Sequence, residues 1–124
     1  MSNRILIVDD SKAMRMIVKR TLKAAGFGAY DVEEATNGAE ALKIITADPP
    51  RLVLSDWNMP DMSGYELLLK LREDKVQVPF GMITTEGTPD MRAQASEAGA
   101  LFLIAKPFTA DEFARALSGV LTAA

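Results

Sequence analysis

Residues 5–11 read "ILIVDDS": four apolar side chains, two adjacent aspartates, then a serine. An apolar run without polar alternation is the pattern of a strand covered on both faces, as in a parallel sheet. The two carboxylates that end it repel one another, and a simple turn needs only one Asp. A positive charge is therefore expected beside them.

Working outward, three more such runs occur: "RLVLS" at 51–55, "PFGMIT" at 79–84 and "LFLIA" at 101–105. Each is expected to be a strand buried on both faces. "YDVEEA" at 30–35 alternates only partly, which suits a strand nearer a sheet edge. Helical patterns fill the gaps. Met14, Ile17, Val18, Leu22 and Ala25 share one face of a segment from Ser11 to Ala25, with Gly26 as its stop. Asn37 and Glu40 open a second helix that runs to Ala47, before Pro49-Pro50. A third spans Ser63 to Glu73 with Leu67, Leu68 and Leu71. A fourth begins at Thr88-Pro89 and ends at Gly99. The last starts with the capping box Thr109-x-x-Glu112 and buries Phe113, Leu117 and Val120. Five strands alternating with five helices predict an α/β fold with a parallel sheet and right-handed crossovers.

The 124 residues suit one domain, with 48% hydrophobic and 25% charged side chains. No run is long enough to insert in a membrane and no signal peptide is visible, so a cytoplasmic protein is expected. The chain has no Cys and no His. That excludes disulfides, thiolate nucleophiles, imidazole bases and the usual zinc sites. A net charge of −3 argues against a nucleic-acid partner. Chemistry must rest on carboxylates, Lys, hydroxyls and backbone groups.

Those groups fall at strand ends. Asp9 and Asp10 follow the first strand, Asp56 stands at the end of the third, Thr84 closes the fourth and Lys106 stands at the end of the fifth. In open α/β sheets ligands bind beyond the C-terminal strand ends, where strand order reverses. If strands one and three flank that point, all these residues meet in one crevice. Two carboxylates at ~4 Å repel by about 4 kcal/mol near a surface, which is relieved either by a raised carboxyl pKa or by a divalent cation, and a cation is expected here. All-oxygen donors select a hard ion, and a small, partly hydrated site suits Mg²⁺. Asp56, between the cation and Lys106, is then placed as a nucleophile toward phosphorus, with the Thr84 hydroxyl holding a phosphoryl oxygen.

The motifs "VDDS", "LSDWNMPDMSG", "MITTE" and "AKPFT", in this order at strand ends, resemble the receiver domain of two-component response regulators. The stand-alone, CheY-like type is nearest, and the resemblance spans Ile5 to Leu121. It implies a five-stranded parallel sheet of order 2-1-3-4-5 and a single receiver domain over residues 1–124. It also implies that Asp56 is the phosphoacceptor, that Asp9 and Asp10 organise Mg²⁺ and that the Asn58 backbone carbonyl is a further ligand. Thr84 corresponds to the switch hydroxyl and Lys106 to the lysine that contacts the phosphoryl group. The Lys106-Pro107 bond is cis in the family. Asn58 and Glu86 occupy positions that tune water access, and both match the fast-hydrolysing chemotaxis type. The implied phosphodonor is a phosphohistidine on a sensor kinase or phosphotransfer protein. The implied output is binding of a target protein through the fourth helix, fifth strand and fifth helix, with no enzymatic turnover beyond the domain's own phosphorylation and dephosphorylation. One position departs from the family: Leu103 stands where Tyr or Phe normally reports phosphorylation. Leu103 is expected to be packing, and the "TTEGTPD" loop the moving part.

Other readings fit less well. A haloacid-dehalogenase-type phosphatase needs D-x-D-x-[TV], but this chain has Asn58 and Pro60 at the later positions and no cap domain. A flavodoxin-like FMN carrier lacks its Ser/Thr-rich phosphate loop. A receiver-shaped adaptor working without phosphorylation would not need the Asp/Thr/Lys set. Lys12, Arg15, Lys19 and Lys23 form a stripe on the first helix, expected to be a solvated face or a docking surface for an acidic partner. Met14, Met59, Met62 and Met82 are expected to pack in the core or loops.

Overall fold

Alternation of short apolar runs with amphipathic segments builds a βα repeat. A computed structural model describes residues 3–121. In chain order the elements are β1 (Arg4–Val8), α1 (Lys12–Leu22), β2 (Asp31–Ala35), α2 (Gly38–Ala47) and β3 (Leu52–Asp56). They are followed by α3 (Gly64–Glu73), β4 (Phe80–Thr84), α4 (Pro89–Glu97), β5 (Phe102–Ala105) and α5 (Ala110–Leu117). The strands form one sheet in the order β2-β1-β3-β4-β5, and every neighbouring pair is parallel.

Each face of the sheet has its own core. On one face Leu6, Val8, Val53, Phe80 and Met82 meet Ala41 and Ile45 of α2, Leu67, Leu68 and Leu71 of α3, and Ala95 of α4. On the other, Ile5, Ile7, Leu52, Leu54, Ile83 and Ile104 meet Val18 and Leu22 of α1 and Phe113 and Leu117 of α5. Alternate residues of a strand point to opposite faces, so a strand covered twice has no polar face left. β3 and β4 are buried throughout. β2 takes an edge, as its polar pattern requires.

The structure corrects several sequence expectations. "LFLIA" is not buried on both faces: β5 is the other edge strand, half-buried except at Ile104, and Leu101 precedes it at 57% exposure. Ile17 is exposed at 43% rather than packed, because the buried face of α1 runs through Arg15, Val18 and Leu22. Arg15 therefore leaves the proposed surface stripe and goes inside. The α-helix ends at Leu22, and Lys23–Phe27 continue in a wider π-type turn that Gly26 closes at φ 101°. Val120 lies beyond the end of α5 and is only half-buried, although it packs against the core. The reciprocal capping box belongs to Ser63 and Glu66, at the start of α3. At α5 the Glu112 amide donates to Thr109, but the Glu112 carboxylate meets the Thr109 hydroxyl instead of its amide. Met82 is fully buried, while Met14, Met59 and Met62 pack against the two cores from half-buried positions.

Candidate functional site

The C-terminal ends of β1, β3, β4 and β5 carry the site. Parallel pairing sets Val8 opposite Ser55, Asp56 opposite Ile83 and Thr84 opposite Ala105. The residues after or at these positions are thereby brought to one rim. Asp56 is the last residue of β3, at the strand end where the sequence puts it, and the Trp57 amide bonds to the Ile83 carbonyl at 3.0 Å. The Asp56 backbone is thus held within the regular hydrogen bonding of the sheet.

Asp9 is 4% exposed and Asp56 8%, whereas Asp10 is open to solvent. One carboxylate oxygen from each lies within 4.8 Å of the other two. The Lys106 ammonium answers the charge: it is 3.2 Å from Asp56 Oδ1 and 3.6 Å from Asp9 Oδ2. Asp9 also accepts the Ser11 backbone N–H at 2.9 Å. Burial raises the Asp56 pKa above its ordinary value; Lys106 opposes that rise, Asp9 adds to it, and the Asn58 backbone N–H donates to the carboxylate and lowers it. The balance leaves Asp56 in need of more positive charge than Lys106 supplies. Three carboxylate oxygens converging without nitrogen or sulfur ligands fit a hard cation such as Mg²⁺.

Thr84 is fully buried at the end of β4. Its hydroxyl accepts the Glu86 backbone N–H at 3.1 Å, and its carbonyl accepts the Lys106 N–H at 2.7 Å. Glu86 and Asn58 are exposed. The Lys106-Pro107 bond is cis. Leu103 is half-buried and packs on the α2–α4 side of the sheet, while its neighbour Phe102 packs on the α1–α5 side.

The backbone beneath Asp56 is held closely. A Cβ on Gly64 would lie 2.3 Å from the Asp56 carbonyl oxygen and 2.9 Å from Ser55 Oγ, so only glycine lets α3 start there. The Gly64 N–H bonds to the Trp57 carbonyl at 2.9 Å. Trp57 stacks on Tyr65 of α3 with ring centroids 5.3 Å apart.

Residues 5–118 match the response regulator receiver domain. The chain belongs to that family. Among curated relatives, chemotaxis protein CheY1 of Helicobacter pylori is 40% identical over 121 residues, covering 95% of this chain and 96% of the relative. A CheY homolog of Campylobacter jejuni is also 40% identical, over 95% of this chain and 92% of its own. Among solved structures, Vibrio cholerae CheY4 aligns with a TM-score of 0.83 at 34% identity, covering 98% of this chain and 100% of that one. The protein is a receiver domain of the CheY type, a signalling module of two-component systems.

Sequence reasoning missed one buried side chain of this receiver domain. Arg15 donates to the Asp9 carbonyl at 2.6 Å and to Glu34 at 2.8 Å, joining α1, β2 and the acidic rim. Two consecutive glutamates in the edge strand call for a cation, but nothing local in the sequence says that Arg15 supplies it. Its guanidinium holds the Glu34 pKa below the usual range.

Proposed function

We propose that this receiver domain is a phosphorylation-activated switch that accepts a phosphoryl group on Asp56. The observation that carries the reading is the buried Asp56 carboxylate, 3.2 Å from the Lys106 ammonium and within 4.8 Å of carboxylate oxygens on Asp9 and Asp10. The donor class is a phosphohistidine on a sensor kinase or phosphotransfer protein, since the chain itself has no His. An Asp56 oxygen forms the new O–P bond as the P–N bond of the donor breaks, and the leaving imidazole takes a proton.

Asp9, Asp10, Asp56 and the Asn58 backbone carbonyl would hold Mg²⁺. When bound, the cation neutralises charge on the transferring oxygens. Lys106 holds another of these oxygens from its side of the site. Thr84 turns its hydroxyl from the Glu86 amide toward the phosphoryl group, and Asn58 and Glu86 govern water access to it. Residues 1–124 then act as one receiver domain whose output is altered binding of a target protein at α4, β5 and α5. Its chemistry is limited to its own phosphorylation and dephosphorylation. The CheY relatives support chemotaxis as the pathway class, with a cytoplasmic setting.

Incubation with acetyl phosphate and Mg²⁺ should add one hydroxylamine-labile phosphoryl group, read by mass spectrometry. Asp56→Asn should abolish it. Modification mapped to Ser11 or Thr84 instead, or labelling that persists in Asp56→Asn, would overturn the assignment.

A further inference from the structure

Leu103 carries neither ring nor hydroxyl, so the change at Thr84 needs another path to β5. We infer that Arg92 is that path: a latch between the β4–α4 loop and the β5 backbone, released or reset when Asp56 is phosphorylated. The inference rests on the phosphoryl-switch reading given above.

Arg92 lies on the exposed side of α4, and its guanidinium spans two elements. Nε donates to the Gly87 carbonyl and Nη1 to the Leu103 carbonyl, each at 3.2 Å. Leu103 sits on an edge strand, where carbonyls lack a partner strand on one side. A planar guanidinium can hold two acceptors in fixed relation, which a single ammonium does less well. The loop end of this bridge is tied to the switch hydroxyl within three residues, because the Glu86 N–H donates to Thr84 Oγ1. A Thr84 hydroxyl recruited to a phosphoryl oxygen alters that bond, and the Gly87 carbonyl held by Arg92 belongs to the residue after Glu86.

Gly87 packs closely against both the guanidinium and β5. A Cβ there would sit 3.0 Å from Arg92 Nη2 and 3.2 Å from the Ala105 Cβ. Arg92 also lines a groove of about 340 Å³ with Leu103, Ile104, Glu112 and Arg115. Movement of the guanidinium therefore reshapes the surface between α4 and α5 without any rotation of residue 103. Arg92 is a positioning residue: it does not touch the phosphoryl site.

The test follows backbone amide resonances of the whole chain as Mg²⁺ and beryllofluoride are added. In the wild-type protein, Thr84 and Lys106 should shift at the site, and Gly87, Leu103 and Ile104 at the output face. Arg92→Ala should keep the Thr84 and Lys106 shifts and lose most of those at Leu103 and Ile104. Gly87→Ala, which crowds the guanidinium by a few tenths of an ångström while leaving it on the chain, should give a smaller loss in the same direction. Shifts at Leu103 and Ile104 that match the wild type in both variants would overturn the latch. Absence of the Thr84 and Lys106 shifts in the wild-type protein would overturn the phosphoryl-switch reading, and the latch with it.

Discussion

Asp56 shows how a single residue can be destabilising and still be kept in place. Its pKa is raised by burial, and the usual value is 3.8. A carboxyl with a higher pKa in the folded than in the unfolded chain weakens folding as pH rises through the interval between the two values. At neutral pH, without a divalent cation, the ionised form therefore opposes folding. Asp56→Asn in EDTA should raise the urea midpoint of unfolding at pH 7, and the gain should disappear near pH 3, where the native carboxyl is neutral. Glu34 has the opposite sign: its pKa is lowered, chiefly by Arg15, so its contribution is present at neutral pH and lost as pH falls through the lowered value. The aspartates were legible from sequence because unneutralised carboxylates at strand ends demand an explanation. Arg15 was not, because its burial depends on Glu34 and on the Asp9 carbonyl, which only the tertiary fold brings to it. Leu103 packs against the core as expected, but from a half-buried position, so trimming it removes less than the about 2–5 kcal/mol of a fully buried leucine.

At the scale of elements, start signals were more readable than extents. Asn37, Ser63, Thr88 and Thr109 each cap the helix that the sequence assigns to them. These interactions are local in the chain, so local sequence contains them. The π-type turn after α1 and the edge position of β5 depend on what packs alongside, and no periodicity announces them. Ser63 has a particular place, since its helix begins against the end of β3, at Asp56. Its hydroxyl accepts the Glu66 N–H and the Glu66 carboxylate accepts the Ser63 N–H, both at 3.0 Å. Ser63→Ala should cost about 1 kcal/mol in a denaturant titration. Because the Gly64 amide bond to Trp57 is retained, the yield of phosphorylation at Asp56 should stay near that of the wild type.

For the whole molecule, cation binding and folding are linked. An ion that binds only the native state stabilises it, by about 2.7 kcal/mol at a concentration 100-fold above its dissociation constant. Mg²⁺ should therefore raise the midpoint of thermal unfolding by several degrees relative to EDTA. Asp10→Asn should reduce that rise, and Asp56→Asn should reduce it further. A midpoint indifferent to Mg²⁺ in the wild-type protein would exclude the acidic cluster as its site. The class of fold was readable from the alternation of apolar runs and helices, but strand order was not. Periodicity says that β1 is buried on both faces; it does not say that β2 and β3 are its neighbours. That order came with the family resemblance, and the parallel registers of the five strands bear it out.

Gly64 gives the molecule a direction. With no room for even a methyl group between α3 and the Asp56 carbonyl, that flank is bolted to the acceptor strand and works as an anvil. Phosphorylation of Asp56, as proposed, should therefore move the loop after β4 more than the start of α3. The two flanks thus differ in kind, one a fixed reference and the other a dial. A ligand gripping Leu69 and Lys70 on α3 would hold the resting and phosphorylated domains alike. It would serve as a handle, leaving the dial free to be read by something else at the same time.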